Sequence, residues 1–318
     1  MTIASTQTHH RVCHLCEAMC GLVIKTEADK VIDIRGDKDD PLSRGHVCPK
    51  AVALQDIHED PDRLRKPLKR IRSEAGVYEH VEIEWEEALD LAADALASTI
   101  QKHGVDAVGA YFGNPSAHNY GMMTHQRNLF RHIRTRNRFS ATSVDQLPHH
   151  LVSMWLYGHM LLMPIPDIDR TDYFLMLGAN PLASNGSIWT VPDVRKRIKD
   201  LTARGGKLVV VDPRRTETAD LASEHHFIRP GTDAALLLAL LHVIFRDKLT
   251  ALGALAEFTD GLEEVQSAVA SLTPEWAANI TGIEASDIER IARDMATAKA
   301  AICYGRMGVS TQAYGTLC

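Results

Sequence analysis

The chain has 318 residues, 45% of them hydrophobic and 24% charged, with a formal charge of −6 at pH 7 and a sequence pI near 6.2. That is an ordinary globular composition, long enough for two or three domains at roughly 100–200 residues each and for a core without disulfide staples. The acidic balance argues against nucleic acid as a partner, since no basic excess is left to neutralise phosphates, and no apolar run reaches the ~18 residues that span a bilayer.

The opening stretch, MTIASTQTHHRVC, has no positive n-region, no apolar h-region and no twin arginine, which predicts a cytoplasmic location. In that reducing compartment, clustered thiols point to metal or redox chemistry rather than to disulfides. Cys13-x2-Cys16-x3-Cys20 is followed by 27 intervening residues and then Cys48-Pro49. A disulfide between Cys13 and Cys16 would be strained. Structural zinc sites use two closely spaced cysteine pairs, whereas a tight triplet plus one distant cysteine before proline suits a cubane iron–sulfur cluster. Zinc stays as the second reading. Between the ligand segments, LVIKTE and KVIDIRGD read as a hairpin and DKDDPLSRG as a loop, so this region predicts a small module of its own. Lys50, two residues after Cys48, is either a solvated surface lysine or a cation that stabilises the reduced cluster.

A charged linker, HEDPDRLRKPLKRIRSEAGVYEHVEIEW, comes next, and beyond it the pattern turns α/β. WEEALDLAADALASTIQKHG sets Trp85, Ala88, Leu89, Ala92, Leu96 and Ile100 on one helical face and stops at Gly104. AVGAYFG is a short apolar strand. YFLMLGAN, the helix VPDVRKRIKDLTARGG and the strand KLVVVDPR form a βαβ unit of a parallel sheet. DAALLLALLHVIFRDK is a strongly apolar helix, Thr281 and Glu284 are spaced like a capping box, and AAICYGR begins another buried strand. The turns YFGNPSAHN (111–119) and LGANPLASN (177–185) repeat a Gly, Asn, Pro, small-residue pattern at strand ends, where ligands of open α/β sheets bind. Each alone is common in such proteins. Their recurrence beside VVDPRRTETA points to a nucleotide-like ligand, with Asp212 as an acceptor and Arg214 or Arg215 as a phosphate fork. RPGTDAAL adds Gly231, Thr232 and Asp233 at a helix start. No GxGxxG fingerprint is present, which argues against NAD bound by that motif.

Taken together, C-x2-C-x3-C-x27-C, CPK, LGANP, VVDPRRTETA, PGTDAAL, TPEWAANITGI and YGRMG make the chain resemble the molybdopterin oxidoreductases that carry two pterin guanine dinucleotides, the formate dehydrogenase, nitrate reductase and dimethyl sulfoxide reductase group. The resemblance implies an α/β fold, with a small β-rich iron–sulfur module followed by doubly wound parallel-sheet (Rossmann-like) domains. Its implied boundaries are 8–63 for the [4Fe-4S] module, 64–140 plus 298–318 for a first, incomplete α/β domain, and 141–297 for a second that binds the pterin guanine dinucleotide. It makes Cys13, Cys16, Cys20 and Cys48 the cluster ligands and places Lys50 between cluster and pterin. The pterin guanine dinucleotide falls to Gly178, Ala179, Asn180, Pro181 and Leu182, to Asp212, Pro213, Arg214, Arg215 and Thr216, and to Gly231, Thr232 and Asp233, with Asn114 as a further contact. The implied cofactors are a [4Fe-4S] cluster and bis-molybdopterin guanine dinucleotide with molybdenum or tungsten. The implied partners are a small-molecule substrate and an electron-transfer protein or subunit.

Two departures stand out. Where such enzymes supply a protein ligand to the metal, this chain reads SATSVDQLPHHLVSMW. Without a cysteine there, Asp145 is the oxygen candidate, with Ser143 behind it, and His149 and His150 are candidate proton shuttles. The pattern also stops at YGTLC, earlier than in related chains. The expectation is therefore a truncated product whose remaining half is a separate chain, or else a non-catalytic fragment that binds only the cluster. A hydratase-type relative without net redox chemistry is a further alternative. Cys303 and Cys318 read as ordinary thiols.

Overall fold

The structure, a computed structural model, describes residues 5–113, 116 and 119–318. The chain divides into two compact units, Met1–Ala141 and Thr142–Cys318.

The N-terminal unit begins with a three-stranded antiparallel sheet in the order β1-β2-β3, formed by β1 (Thr6–Val12), β2 (Gly21–Glu27) and β3 (Lys30–Gly36). The β2–β3 hairpin is the one the alternating pattern predicts. β1 is built from TQTHHRV, a polar run with no strand period, and holds its place by pairing with β2 from Thr6↔Glu27 to Val12↔Gly21. The linker also contains a hairpin that its charge conceals. β4 (Leu68–Arg72) and β5 (Tyr78–Glu82) pair antiparallel, and the turn between them uses Gly76 at φ +80°. The helix Trp85–His103 ends at Gly104 as predicted, but no residue on it is buried, and its Trp85 and Leu89 are exposed. β6 (Ala110–Phe112) and β7 (Arg138–Ser140) form a parallel pair. Between them runs the helix Tyr120–Ile133, capped by Asn119, whose side chain accepts from the Met122 N–H.

The C-terminal unit is organised by a four-stranded parallel sheet in the order β10-β9-β8-β11, from β8 (Tyr173–Leu177), β9 (Lys207–Val211), β10 (Glu224–His226) and β11 (Ala301–Gly305). β8 is buried at every position, the signature of a strand covered on both faces. One face carries Leu175, Leu177, Val209 and Val211 against Leu236, Ala239 and Leu240 of the helix Asp233–Arg246 and Ile288 and Ile291 of the helix Ala285–Thr297. The other carries Phe174, Met176, Leu208 and Val210 against Trp189, Ile198 and Leu201. Burying each such side chain contributes about 1.5–3 kcal/mol, and these two layers hold the strand ends that carry the candidate site.

Two expectations are corrected. Residues 298–318 do not join the first α/β domain, because β11 pairs with β8 along its whole length, Ala301↔Tyr173 to Gly305↔Leu177. Nor do Thr281 and Glu284 form a capping box. Thr281 is the last residue of the helix Pro274–Thr281, and its buried hydroxyl donates to the Ala277 carbonyl instead. The cap that forms is Thr273, accepting from the Trp276 N–H. Among the described residues no helix is long and apolar enough to cross a membrane.

Candidate cluster site and cofactor-binding turns

The three clustered cysteines occupy the loop between β1 and β2. The Cys13 N–H donates to the Cys20 carbonyl at 2.8 Å, closing residues 13–20 into a turn that continues the Val12↔Gly21 register. Gly21 is sterically required, since a Cβ there would stand 2.6 Å from the Asp40 Cβ. Its N–H donates to Ser43 Oγ at 3.0 Å, and the Asp40 carboxylate in turn accepts both the N–H and the hydroxyl of Ser43. Gly36 meets the Gly45 carbonyl so closely that a Cβ would lie 2.1 Å from it. These contacts fold residues 36–45 back and deliver Cys48, the N-cap residue of the short helix Pro49–Val52.

Cys13 and Cys20 are buried with Ala18, Leu22, Ile34 and Ala51, while Cys16 and Cys48 are half-buried. Burial raises the Cys13 thiol pKa, and the nearby Cys16 and Cys48 add to the rise. Cys20 is pushed up to about 11, first by burial and then by the other three thiols. Cys13 and Cys20 therefore lie close enough to the other thiols to feel their charge. Among the described residues, however, no three Cys, His, Asp or Glu side chains converge on a point that would hold a single ion. Four free thiols, one for each iron and the last before Pro49, match the donor chemistry of a [4Fe-4S] cluster. Lys50 is exposed in the first turn after Cys48.

The second set of predicted residues gathers at the carboxyl ends of β8, β9 and β10. At Gly178, with φ +54°, a Cβ would lie 2.7 Å from the Gly308 Cα. The two backbones are joined there by the Gly308 N–H donating to the Gly178 carbonyl at 3.0 Å. Ala179 is buried. Asn180 bridges two turns: its Nδ2 donates to Glu217 Oε2 at 2.8 Å, and its Oδ1 accepts from the Thr218 hydroxyl at 2.7 Å. Thr218 Oγ1 also accepts from the Leu182 N–H, and Pro181 opens the short helix Pro181–Ser184.

On the next turn, Asp212 Oδ1 caps the Arg214 N–H at 2.8 Å, and buried Thr216 accepts from the Ala219 N–H. Pro213 sits between them. Arg214 and Arg215 are exposed and lie near Glu217 at 3.8 Å and Asp220 at 2.7 Å. Around Gly231, with φ +84°, a Cβ would meet open space, and the Thr232 hydroxyl donates back to the Arg229 carbonyl. Asp233 differs from its expected role as a ligand-facing group. It is buried, its carboxylate accepts from Gln312 Nε2 at 2.8 Å, and burial with neighbouring Asp212 raises its pKa. Asn114 lies outside the described residues.

Asp145, expected as an open oxygen donor, is engaged by Arg306. One guanidinium nitrogen donates to the Asp145 carbonyl at 2.7 Å, and the other to its Oδ1 at 2.5 Å and to Ser187 Oγ at 2.9 Å. Arg306 is only 6% exposed. His149, on the helix Leu147–Tyr157, donates from Nε2 to the Gly305 carbonyl at 3.0 Å. Its Nδ1 is buried without a partner among the described residues. Burial lowers its pKa, against the hydrogen bond to Gly305, and Arg306 adds to the lowering. His150 is buried, and its Nδ1 donates to the Met160 carbonyl at 2.7 Å, which marks it as structural. Arg306, Ser187, Thr218, Glu217 and Gly308 are the residues that sequence reasoning missed. YGRMG contains Arg306 and Gly308, and VVDPRRTETA contains Glu217 and Thr218, but both marked these residues only as landmarks; Ser187 lies outside either.

A three-thiol loop with a fourth thiol at a following helix start, and a parallel sheet with glycine-lined turns at its carboxyl end, define an iron–sulfur, pterin-binding class of chain. Residues 6–59 match the family model for the molybdopterin oxidoreductase Fe4S4 domain, and residues 63–316 match that for molybdopterin oxidoreductase. The chain belongs to the molybdopterin oxidoreductase family, and its cofactors are that family's, a [4Fe-4S] cluster and molybdopterin. It is 32% identical to formate dehydrogenase H of Escherichia coli over 95% of this chain and 42% of that one. It is 30% identical to a nitrate reductase of Symbiobacterium thermophilum over 96% of this chain and 41% of the relative. Among solved structures it superimposes on acetylene hydratase from Pelobacter acetylenicus with a TM-score of 0.74 at 26% identity, covering 96% of this chain and 41% of that one. The chain thus spans about two fifths of the length of these relatives.

Proposed function

We propose that this chain is the cluster-bearing part of a molybdenum (or tungsten) oxidoreductase that acts on a small-molecule substrate in the cytoplasm. Electrons pass through its [4Fe-4S] cluster to or from an external electron-transfer protein or subunit. The observation that supports this best is the donor set itself, three thiols in the β1–β2 loop and a fourth at the start of the helix Pro49–Val52. When bound as two pterin guanine dinucleotides, the metal cofactor supplies two-electron chemistry that the protein positions and tunes.

The chain's own groups have assignable tasks. Turns 178–182 and 212–216, with Gly231 and Thr232, hold a dinucleotide against backbone at the sheet's carboxyl end. Lys50 sets a positive charge beside the cluster and stabilises its reduced state. His149, whose Nδ1 has no partner among the described residues, is the candidate proton acceptor. Asp145 is a positioning residue, since Arg306 holds its carboxylate.

A second reading is favoured by the likeness to acetylene hydratase: a hydratase-type activity with no net redox change. Turnover without any electron acceptor selects it. A third is that this chain is not catalytic and binds only its iron–sulfur cluster.

Metal and cofactor analysis of anaerobically purified protein tests the proposal. It expects about four irons and four sulfides per chain, molybdenum or tungsten, and guanine nucleotide released on denaturation. Iron and sulfide alone would leave the cluster-only reading, and zinc in place of iron would overturn both.

A further inference from the structure

The four cysteines stand on two separate pieces of the N-terminal module, the β1–β2 loop and the start of the helix Pro49–Val52. A donor set divided in this way keeps its spacing only while the two pieces are tied together.

Ser43 ties them. Its Oγ accepts the N–H of Gly21, the residue after Cys20, at 3.0 Å. Its carbonyl accepts the N–H of His46, which stands shortly before Cys48, at 2.9 Å. The hydroxyl and the N–H of Ser43 both donate to Asp40 Oδ2, each at 2.6 Å. Hydroxyl, N–H and carbonyl are thus all committed to this joint. Ser43 is only 3% exposed, so water has little access to replace the hydroxyl. Gly21 is held on its other side as well, because its carbonyl accepts the Asp37 N–H at 2.9 Å.

Asp40 gives the joint its direction. The hydroxyl and then the N–H of Ser43 lower the Asp40 carboxyl below its ordinary pKa, so Ser43 donates to an ion. Hydrogen bonds to an ionised acceptor are roughly twice as strong as neutral ones. With its one proton fixed on Asp40, the hydroxyl has only lone pairs left to offer, and the Gly21 N–H takes one of them.

We propose that Ser43, oriented by Asp40, is a positioning residue that fixes the Cys20 end of the thiol loop against the segment leading to Cys48, and so sets how firmly the iron–sulfur cluster is retained. Its consequence for iron rests on the cluster reading given above, whereas the joint itself rests on these contacts.

The test uses the full chain, purified anaerobically and loaded with iron and sulfide, and follows iron release to bathophenanthroline disulfonate under argon. Ser43→Ala leaves the Gly21 N–H buried without its partner, a loss that shifts an opening equilibrium about tenfold, so iron should leave about tenfold faster. Asp40→Asn should speed release severalfold, and it decides the matter if Ser43→Ala takes up no iron. Ser43→Thr keeps the hydroxyl and should release iron at close to the unaltered rate. Asp39→Asn removes the same charge from an exposed neighbour and should change nothing. Hydrogen exchange on the same samples should show the Gly21 amide losing protection in Ser43→Ala while residues 23–25 keep theirs, which reports an intact β2. Three results overturn this inference alone: both Ser43→Ala and Asp40→Asn releasing iron at the unaltered rate, Ser43→Thr releasing it as fast as Ser43→Ala, or Asp39→Asn matching Asp40→Asn. An unaltered chain that takes up no iron overturns the cluster reading, and this inference with it.

Discussion

Replacing Arg306 with methionine keeps an apolar stem of similar reach and removes three donated hydrogen bonds, two to Asp145 and one to Ser187. Breaking one side of a buried ion pair costs about 3–5 kcal/mol. The Asp145 side chain is 29% exposed, so water recovers part of that, and we expect about 2–3 kcal/mol for Arg306→Met. With a urea slope near 2 kcal/mol/M, the midpoint for the C-terminal unit falls by about 1 M. The two units can unfold separately, so hydrogen exchange resolved over residues 142–157 should accompany the urea curve, with protection there falling first. The double-mutant cycle with Asp145→Asn isolates the pair, and its expected coupling is about 1–2 kcal/mol. The reasoning fails if Asp145→Asn costs the same in both backgrounds, or if Arg306→Met leaves exchange at 142–157 unchanged.

Three further outcomes follow from the same geometry. Cys20→Ser removes a buried thiol from the three-thiol loop, so iron and sulfide per chain should fall to less than half on anaerobic purification; full retention would place the cluster elsewhere. Gly178→Ala drives a Cβ to 2.7 Å from Gly308 at a backbone angle costing about 1 kcal/mol or more for a side chain, and should abolish guanine nucleotide release while leaving iron content unaltered. His149 has a folded pKa below its ordinary value, so the unfolded chain binds the proton first as pH falls below about 6.5. Stability should be fully present above that pH and be lost below it. His149→Gln should flatten this loss in chemical denaturation between pH 7 and 5, and an unchanged slope would remove His149 as its source.

How far the sequence shows the fold depends on the range of the interaction. Cysteine spacing, the β2–β3 hairpin, the βαβ run from Tyr173 to Val211 and the helix stop at Gly104 are set by neighbours within a few residues, and each can be read from local pattern. β1 is a strand because β2 lies beside it, and nothing in TQTHHRV announces that. The β4–β5 hairpin is hidden because its alternation is carried by charged rather than apolar residues. At the site, the turns at 178, 212 and 231 are visible as glycine, proline and aspartate signals, whereas what those residues touch is not. Asp145 reads as a free carboxylate until Arg306, 161 positions later, is brought beside it. Asp233 reads as ligand-facing until Gln312 reaches it. Long-range pairing of single polar side chains leaves no periodic trace.

The placement of β11 also bears on how the protein is made. β8 and β9 can pair as soon as both have left the ribosome, but the other edge of β8 waits for Ala301–Gly305. At roughly 5–20 residues per second, the stretch between Leu177 and Ala301 takes on the order of ten seconds to synthesise. Throughout that time Tyr-Phe-Leu-Met-Leu, five apolar residues that end buried at every position, presents an unpaired edge of the kind that recruits other chains. Nascent-chain yield should therefore depend on a chaperone that shields one short segment, and slowing translation past residue 177 should raise aggregation more than slowing it earlier.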